Sequence, residues 1–147
     1  MTCTRIAVLI FASPLIAAST SARTPAPQKN AEISALEQEI AGKEQLPAEQ
    51  VFKNIQTFKG RPAIAVLRVM EQAFVPNLGV ECSYCHVEKQ YDSDEKNAKK
   101  VAREMWVMRA QVQEAARKAS GNAQAVVTCY TCHKGKPKPE FAPGRDR

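Results

Sequence analysis

The chain has 147 residues and a formal net charge of +6, and hydrophobic residues make up 44% of it. This length leaves room for a single domain. The excess of basic residues does not indicate nucleic-acid binding, because no basic patch interleaved with aromatic residues accompanies it.

Residues 1–22 have the three parts of a secretory signal peptide. Arg5 supplies the positive charge, residues 6–18 are apolar, and the small residues at 20–22 form a cleavage site. The apolar run is too short to span a bilayer comfortably. We therefore expect a cleaved signal peptide and a periplasmic protein, and a retained N-terminal membrane anchor is the alternative.

Apolar residues at helical spacing predict two helices early in the mature chain. The first covers residues 31–41, with Asn30 as its N-cap. The second opens at Pro47, where proline is tolerated, and runs towards Gly60. Its apolar stripe consists of Val51, Phe52, Ile55 and Phe58. We expect both helices to serve as packing elements.

A third helix is predicted from Pro62 to Pro76, which ends it because proline cannot continue the hydrogen-bond ladder. Its apolar face is formed by Ile64, Leu67, Met70 and Phe74. The turn that follows leads the chain to Cys82 and can fold it back beneath the helix that carries Met70.

A long fourth helix is predicted from a cap at Ser93 or Asp94 to about Ala119. Its predicted buried face consists of Ala98, Val101, Met105, Met108, Val112 and Ala115. The basic residues, among them Lys99, Arg103 and Arg109, fall largely on its other sides. Beyond residue 134 three prolines exclude a further helix.

Two pentapeptides read Cys-x-x-Cys-His, at residues 82–86 and 129–133, and they contain four of the five cysteines and both histidines. This pattern is typical of covalent attachment of c-type haem. Two thiols one helical turn apart can each bond a vinyl group of one porphyrin, and the adjacent imidazole binds the iron. The candidate attachment residues are Cys82, Cys85 and His86, and Cys129, Cys132 and His133.

Three other interpretations of the cysteine pairs are weaker. The pairs are too far apart in sequence for a ribbon-type zinc site, and zinc does not explain a histidine after each pair. A thioredoxin-like motif is expected beside a βαβ unit and usually occurs once. Disulfides in an exported protein remain an alternative, but two complete haem-attachment motifs disfavour them.

Counting excludes a second histidine ligand for either iron, unless another molecule supplies it. No third histidine exists, and methionine is the other common ligand, one that raises the haem potential. Met70 alone precedes the first motif once Met1 is removed with the signal. Met105 and Met108 share a face of the long helix before the second motif, and their spacing does not choose between them. Core packing is the alternative role for all three.

Five segments together resemble the cytochrome c subunit of photosynthetic reaction centres. They read VFKNIQ at 51–56, Met70, LGVECSYCH at 78–86, AREMWVM at 102–108 and VTCYTCHKG at 127–135. The resemblance covers residues 51–139 and includes the residues that flank both motifs. It implies the same haem sites and helical fold, with a methionine on the helix before each motif as distal ligand. It favours Met105 over Met108.

The chain also differs from that family. The photosynthetic subunit carries four haems, one of them with two histidine ligands, whereas this chain has two attachment motifs and no spare histidine. A lipid-modified cysteine after the signal is also missing. The resemblance therefore implies a small dihaem relative and does not imply a photosynthetic partner.

The sequence thus predicts a mainly α-helical, small multihaem cytochrome c, with short helices packed around two covalently bound haems and little or no sheet. Residues 23–50 are a linker and N-terminal helix, 51–140 the dihaem domain, and 141–147 a flexible tail. We expect an electron carrier between redox proteins, membrane-bound ones included, without nucleic acid or a small-molecule substrate. A dihaem peroxidase- or reductase-like enzyme with one open distal site is the alternative.

Overall fold

The structure is a computed structural model that describes residues 30–140, and this part of the chain is mainly helical. The helices are α1 (Ala31–Glu39), α2 (Ala48–Val51), α3 (Ala63–Val69), a π-helix (Met70–Phe74), α4 (Val75–Leu78), α5 (Cys82–Cys85), α6 (Asn97–Ser120) and α7 (Cys129–His133). Only isolated β-bridges occur among the described residues. The predicted fold class is therefore confirmed. The predicted signal peptide (1–22), residues 23–29 of the predicted linker and the predicted tail (141–147) lie outside the described residues.

Helix α1 begins where the sequence predicts it. The Oδ1 atom of Asn30 accepts a hydrogen bond of 2.8 Å from the Glu32 amide, which satisfies one free donor of the first turn. The helix ends at Glu39, two residues earlier than predicted. It packs against α3, and together they bury one apolar cluster: Ile33, Ile40, Ala63 and Leu67.

The second predicted helix is wrong beyond its first turn. Helix α2 ends at Val51, because Phe52 is extended and Asn54 has a positive φ of 58°, which a right-handed helix excludes. The Asn54 side chain donates to the Asp92 carbonyl at 2.6 Å, a long-range contact that the apolar spacing could not reveal. Phe58 is nevertheless buried, packed with Ala48 and Val66 in a second cluster.

The third helix does not end at Pro76 as predicted. It continues to Leu78 through the π-helix Met70–Phe74, in which the Val75 amide donates to the Met70 carbonyl five residues back. This wider turn places Pro76 at the start of α4, the position where a missing amide costs least. Gly79 then ends the helix in the left-handed conformation.

The long helix α6 confirms the fourth predicted helix, but its predicted N-cap is wrong. The helix begins at Asn97 after Lys96, without a side-chain cap. The Asp94 carboxylate instead accepts from Arg103 at 2.8 Å and pairs with Lys99 at 3.2 Å. No helix between residues 30 and 140 combines the length and apolar character that a membrane span requires.

The segments that carry the two Cys-x-x-Cys-His motifs meet at a backbone contact. Helix α4 packs against α7, and the Gly135 amide donates to the Asn77 carbonyl at 3.0 Å. A Cβ atom on Gly79 would lie 2.1 Å from the Gly135 carbonyl oxygen. Glycine at 79 is therefore required both by its positive φ and by the close approach of a second backbone.

We predict that Gly79→Ala destabilises the protein more than Gly121→Ala. Both glycines have nearly the same φ, 62° and 63°, but the space around Gly121 is open. The left-handed conformation costs alanine about 1–2 kcal/mol at either position. The clash with the Gly135 backbone adds about 1–3 kcal/mol at Gly79 only. Chemical denaturation gives both free energies of unfolding, and equal losses would show that the Gly79–Gly135 contact is unimportant.

Candidate functional site

The first motif forms a single helical turn, α5, between two extended residues. Glu81 before it and His86 after it have extended backbones, and the His86 amide donates to the Cys82 carbonyl at 3.0 Å. Cys82 and Cys85 are three residues apart and therefore lie on one face of the turn. Helix α5 packs against α6, and Lys96 donates to the Ser83 carbonyl. The turn is thus held in place from the long helix.

Cys82, Cys85 and His86 line a cavity of about 390 Å³, and Met70 lines the same cavity. The structure therefore brings together the first motif and its predicted distal ligand. Met70 also packs against both buried apolar clusters, so packing contributes to its position. More than half of the other lining residues are apolar, and they include Leu67 of α3, Phe58 in the segment after α2 and Trp106 of α6. An apolar wall of this kind suits a large flat apolar ligand.

The imidazole of His86 is oriented by a backbone carbonyl. Its Nδ1 lies 3.2 Å from the Tyr91 carbonyl oxygen, which can only accept, so Nδ1 carries the proton and Nε2 keeps its lone pair. Burial lowers the pKa of His86 below its ordinary value, opposed by the Tyr91 carbonyl. The neutral imidazole, with Nε2 free, is the form that binds iron.

A network that the sequence did not predict lies behind His86. It consists of Tyr91, Glu32 and Lys99. The Tyr91 hydroxyl donates to the Glu32 carboxylate at 2.8 Å, and its ring meets that of His86 edge to face. Lys99 donates to the Tyr91 and Ser93 carbonyls, each at 2.8 Å, and is only 9% exposed. Lys99 was expected on an outer side of its helix, and that expectation is wrong. Only long-range contacts could have identified this network.

The second motif repeats the arrangement of the first. Helix α7 is preceded by Thr128, whose amide donates to the Thr131 hydroxyl at 3.1 Å. His133 Nδ1 lies 3.0 Å from the Lys136 carbonyl oxygen, so this imidazole also keeps Nε2 free. Lys134 has a positive φ of 51° and turns the chain directly after the helix. Both histidines are therefore held through Nδ1 by a carbonyl that follows them in sequence.

Cys129, Cys132 and His133 line a second cavity, of about 350 Å³. Met105 and Met108 both line it, so the structure brings both candidate ligands to the second motif and does not choose between them. Their side chains are 41% and 45% exposed. Most of the predicted buried face of the long helix therefore borders this cavity and does not pack into the protein core.

The two cavities share a wall. Five residues line both of them: Phe74, Leu78, Cys85, Ala102 and Trp106. The Trp106 ring stacks on Phe74 with centroids 5.8 Å apart and meets Phe58 edge to face at 4.9 Å. The sites are therefore adjacent, separated by little more than one layer of side chains.

The two cysteine pairs are not part of a larger cluster of metal-binding side chains. Within residues 30–140 no three His, Cys, Asp or Glu side chains are grouped as metal ligands, and no disulfide joins the four cysteines. Each pair instead lies beside a histidine with a free Nε2, in a cavity with at least one methionine. Two thiols, an imidazole, a thioether and apolar walls are the set that a covalently attached haem requires. The residues of both cavities thus fit this group.

Two curated proteins are similar to this chain over about two thirds of its length. The photosynthetic reaction center cytochrome c subunit of Thermochromatium tepidum is 34% identical over 103 residues, covering 65% of this chain and 23% of that protein. The protein of the same name from Rubrivivax gelatinosus is 35% identical over 97 residues, covering 63% and 25%. The chain thus spans about a quarter of the length of these curated relatives.

The match to the family as a whole is broader than the match to these two relatives. The family model described as photosynthetic reaction centre cytochrome C subunit matches residues 16–143, which include both Cys-x-x-Cys-His motifs and all three candidate methionines. The resemblance seen in the sequence is therefore confirmed, and the chain belongs to the photosynthetic reaction centre cytochrome c subunit family.

Proposed function

We propose that the protein is a dihaem c-type cytochrome that carries single electrons between redox proteins. The observation that carries this proposal is that each Cys-x-x-Cys-His motif lines a cavity together with a methionine from the preceding helix. Cys82, Cys85, Cys129 and Cys132 hold the two haems covalently. His86 with Met70, and His133 with Met105, are the proposed axial pairs, and Met108 is the alternative to Met105.

A bound haem supplies an iron that changes between Fe(II) and Fe(III) by one electron. The protein contributes position and environment. The Tyr91 and Lys136 carbonyls fix the orientation of the two imidazoles, and Met70 and Met105 would be the second ligands that leave no position for a substrate. Apolar walls exclude water and keep the surroundings nearly unchanged when the charge on iron changes.

The shared wall supports transfer between the two haems. Phe74, Trp106 and Cys85 line both cavities, so an electron crosses a short, packed layer of protein. The contact between Gly79 and Gly135 holds the two motif segments together at one end of that layer. Two adjacent haems without an open coordination position favour a carrier over an enzyme.

The location and the partners that we propose rest on the predicted signal peptide and on the two relatives. The predicted signal peptide places the mature chain in the periplasm, where c-type haems are attached and electron carriers exchange partners. The two relatives are named as subunits of a photosynthetic reaction center. For this chain we propose only a redox-protein donor and acceptor, membrane-bound ones included, because it spans about a quarter of those relatives.

The covalent haem count tests the central proposal. Mature protein produced with a haem-maturation system should carry the mass of two haems in intact-mass spectrometry. Replacing Cys82 and Cys85 by serine should remove one haem, and replacing Cys129 and Cys132 should remove the other. Wild-type protein without added haem mass would show that the cysteines do not serve as attachment sites.

Met70→Ala should open the distal position of the first haem only. The wild-type reduced protein should not bind carbon monoxide, whereas this variant should bind it at one haem and show high-spin absorption. Val69→Ala is the matched control, because Val69 packs against the same core cluster as Met70 but does not line the cavity. Rapid carbon monoxide binding by the wild type would favour the enzyme alternative, and an unchanged Met70→Ala spectrum would exclude Met70 as ligand.

Met105→Ala and Met108→Ala should differ at the second haem. Both haems contribute to the absorption band typical of methionine bound to Fe(III). We expect Met105→Ala to lose the share of the second haem and to keep that of the Met70 haem, while Met108→Ala keeps the full band. Val107→Ala provides the control on the same helix, since Val107 is 53% exposed and does not line the cavity. The reverse result would assign Met108, and retention of the full band in both variants would exclude both methionines.

A further inference from the structure

Arg109 carries a positive charge to the second cavity without a carboxylate partner among the described residues. Its guanidinium carbon lies 4.9 Å from the centre of the Trp106 ring, and its Nη1 donates to the Val127 carbonyl at 3.3 Å. Its Nε atom is buried and has no hydrogen-bond partner within residues 30–140. Burial of an unpaired donor costs stability, so this arginine is not explained by the packing around it.

The two cations at the first cavity share one carboxylate partner, which offsets one of their two positive charges. Lys99 and Arg103 line that cavity, and both pair with Asp94, at 3.2 and 2.8 Å. Hydrogen bonds from Arg103 first, then from Asn54 and Lys99, hold the pKa of Asp94 well below its usual range, so this carboxylate is charged at neutral pH. The buried positive charge at the first cavity therefore has a local counter-charge.

The remaining charges do not remove this difference between the cavities. Those at the first cavity are of both signs and solvent-exposed: Glu39, Lys43, Lys53, Glu81, Lys89 and Asp92. Among the described residues that line the second cavity, Lys138 is the only other charged one. Lys138 is also exposed, and no carboxylate among these residues lines the second cavity. Exposed charges are screened by water and salt far more than buried ones. Arg109 is thus the main local charge that acts on the second site.

We propose that Arg109 selectively raises the reduction potential of the haem at Cys129–His133. Fe(III) carries one more positive charge than Fe(II), so a fixed cation nearby in a medium of low dielectric constant disfavours the oxidised state. The inference rests on the proposed function, because it requires a haem in the second cavity. It makes Arg109 the residue that biases the second haem towards accepting the electron.

The experiment compares the potentials of four holoproteins, the wild type, Arg109→Gln, Arg109→Lys and Arg117→Gln, by potentiometric titration followed by absorption. Arg117 is the matched control. It lies two helical turns further along α6 and also donates to a carbonyl before the second motif, that of Ala125 at 3.3 Å, but it is exposed and does not line the cavity. Only the first haem should change its absorption in Met70→Ala. The potential that is followed at those wavelengths therefore belongs to the first haem.

In Arg109→Gln the second haem should become about tenfold easier to oxidise. For a one-electron couple this equals a fall of about 59 mV in its reduction potential. The first haem should shift much less. Arg109→Lys should keep most of the wild-type potential because it keeps the charge, and Arg117→Gln should leave both potentials unchanged. The shift in Arg109→Gln should also persist at high salt, because a buried charge is weakly screened.

Intact mass separates failure of this inference from failure of the proposed function. A wild-type protein without two haems would contradict the function itself. With two haems present, an unchanged second potential in Arg109→Gln would overturn the inference, as would an equal loss in Arg109→Lys, since packing and not charge would then be responsible. If Arg109→Gln does not retain both haems, Arg109→Met provides the neutral variant, with an unbranched apolar side chain that can pack over Trp106.

Discussion

The hydrogen bond from the Gly135 amide to the Asn77 carbonyl joins the two halves of this protein. Asn77 lies in the last turn of the helix that carries Met70, and Gly135 lies two residues after His133, so a single backbone contact holds that helix against the second motif. The contact needs a residue without a side chain at 79, because any Cβ there meets the Gly135 carbonyl. Side-by-side cavities with a shared aromatic wall follow from this approach. The separation of the two cavities therefore depends on the close approach of two glycines.

The two cavities are built in different ways. All seven buried apolar residues in the described part of the chain lie between Ile33 and Leu67, and the elements that carry them also form much of the wall of the first cavity. The second cavity is bordered mainly by one face of α6 and by the segment around α7, and Met105 and Met108 are partly exposed there. The first site thus rests on a preformed core, whereas the second depends more on the group that it binds.

The candidate attachment residues stand out in the sequence because each motif consists of five consecutive residues. The position of Met70 beside the first motif could be predicted because few methionines and no further histidine were available. The other features of the site could not be predicted, because they depend on contacts between residues far apart in sequence. The Asn54 conformation depends on a contact with Asp92, the burial of Lys99 depends on the Tyr91 and Ser93 carbonyls, and Arg109 faces a cavity that no periodicity reveals. Spacing along a helix gives relative positions on its surface, but it does not show which neighbour covers each face.

The π-helix between Met70 and Phe74 has a consequence for the register of the first site. Its hydrogen-bonded ring contains one residue more than an α-helical turn, so the angular offset between Met70 and the glycine at the helix end differs from that of a regular helix. A homologue that lost this residue could keep the same motif and the same methionine and still direct the thioether away from the imidazole. Ligand identity in such relatives therefore depends on the residue count between methionine and cysteine as well as on the residue types.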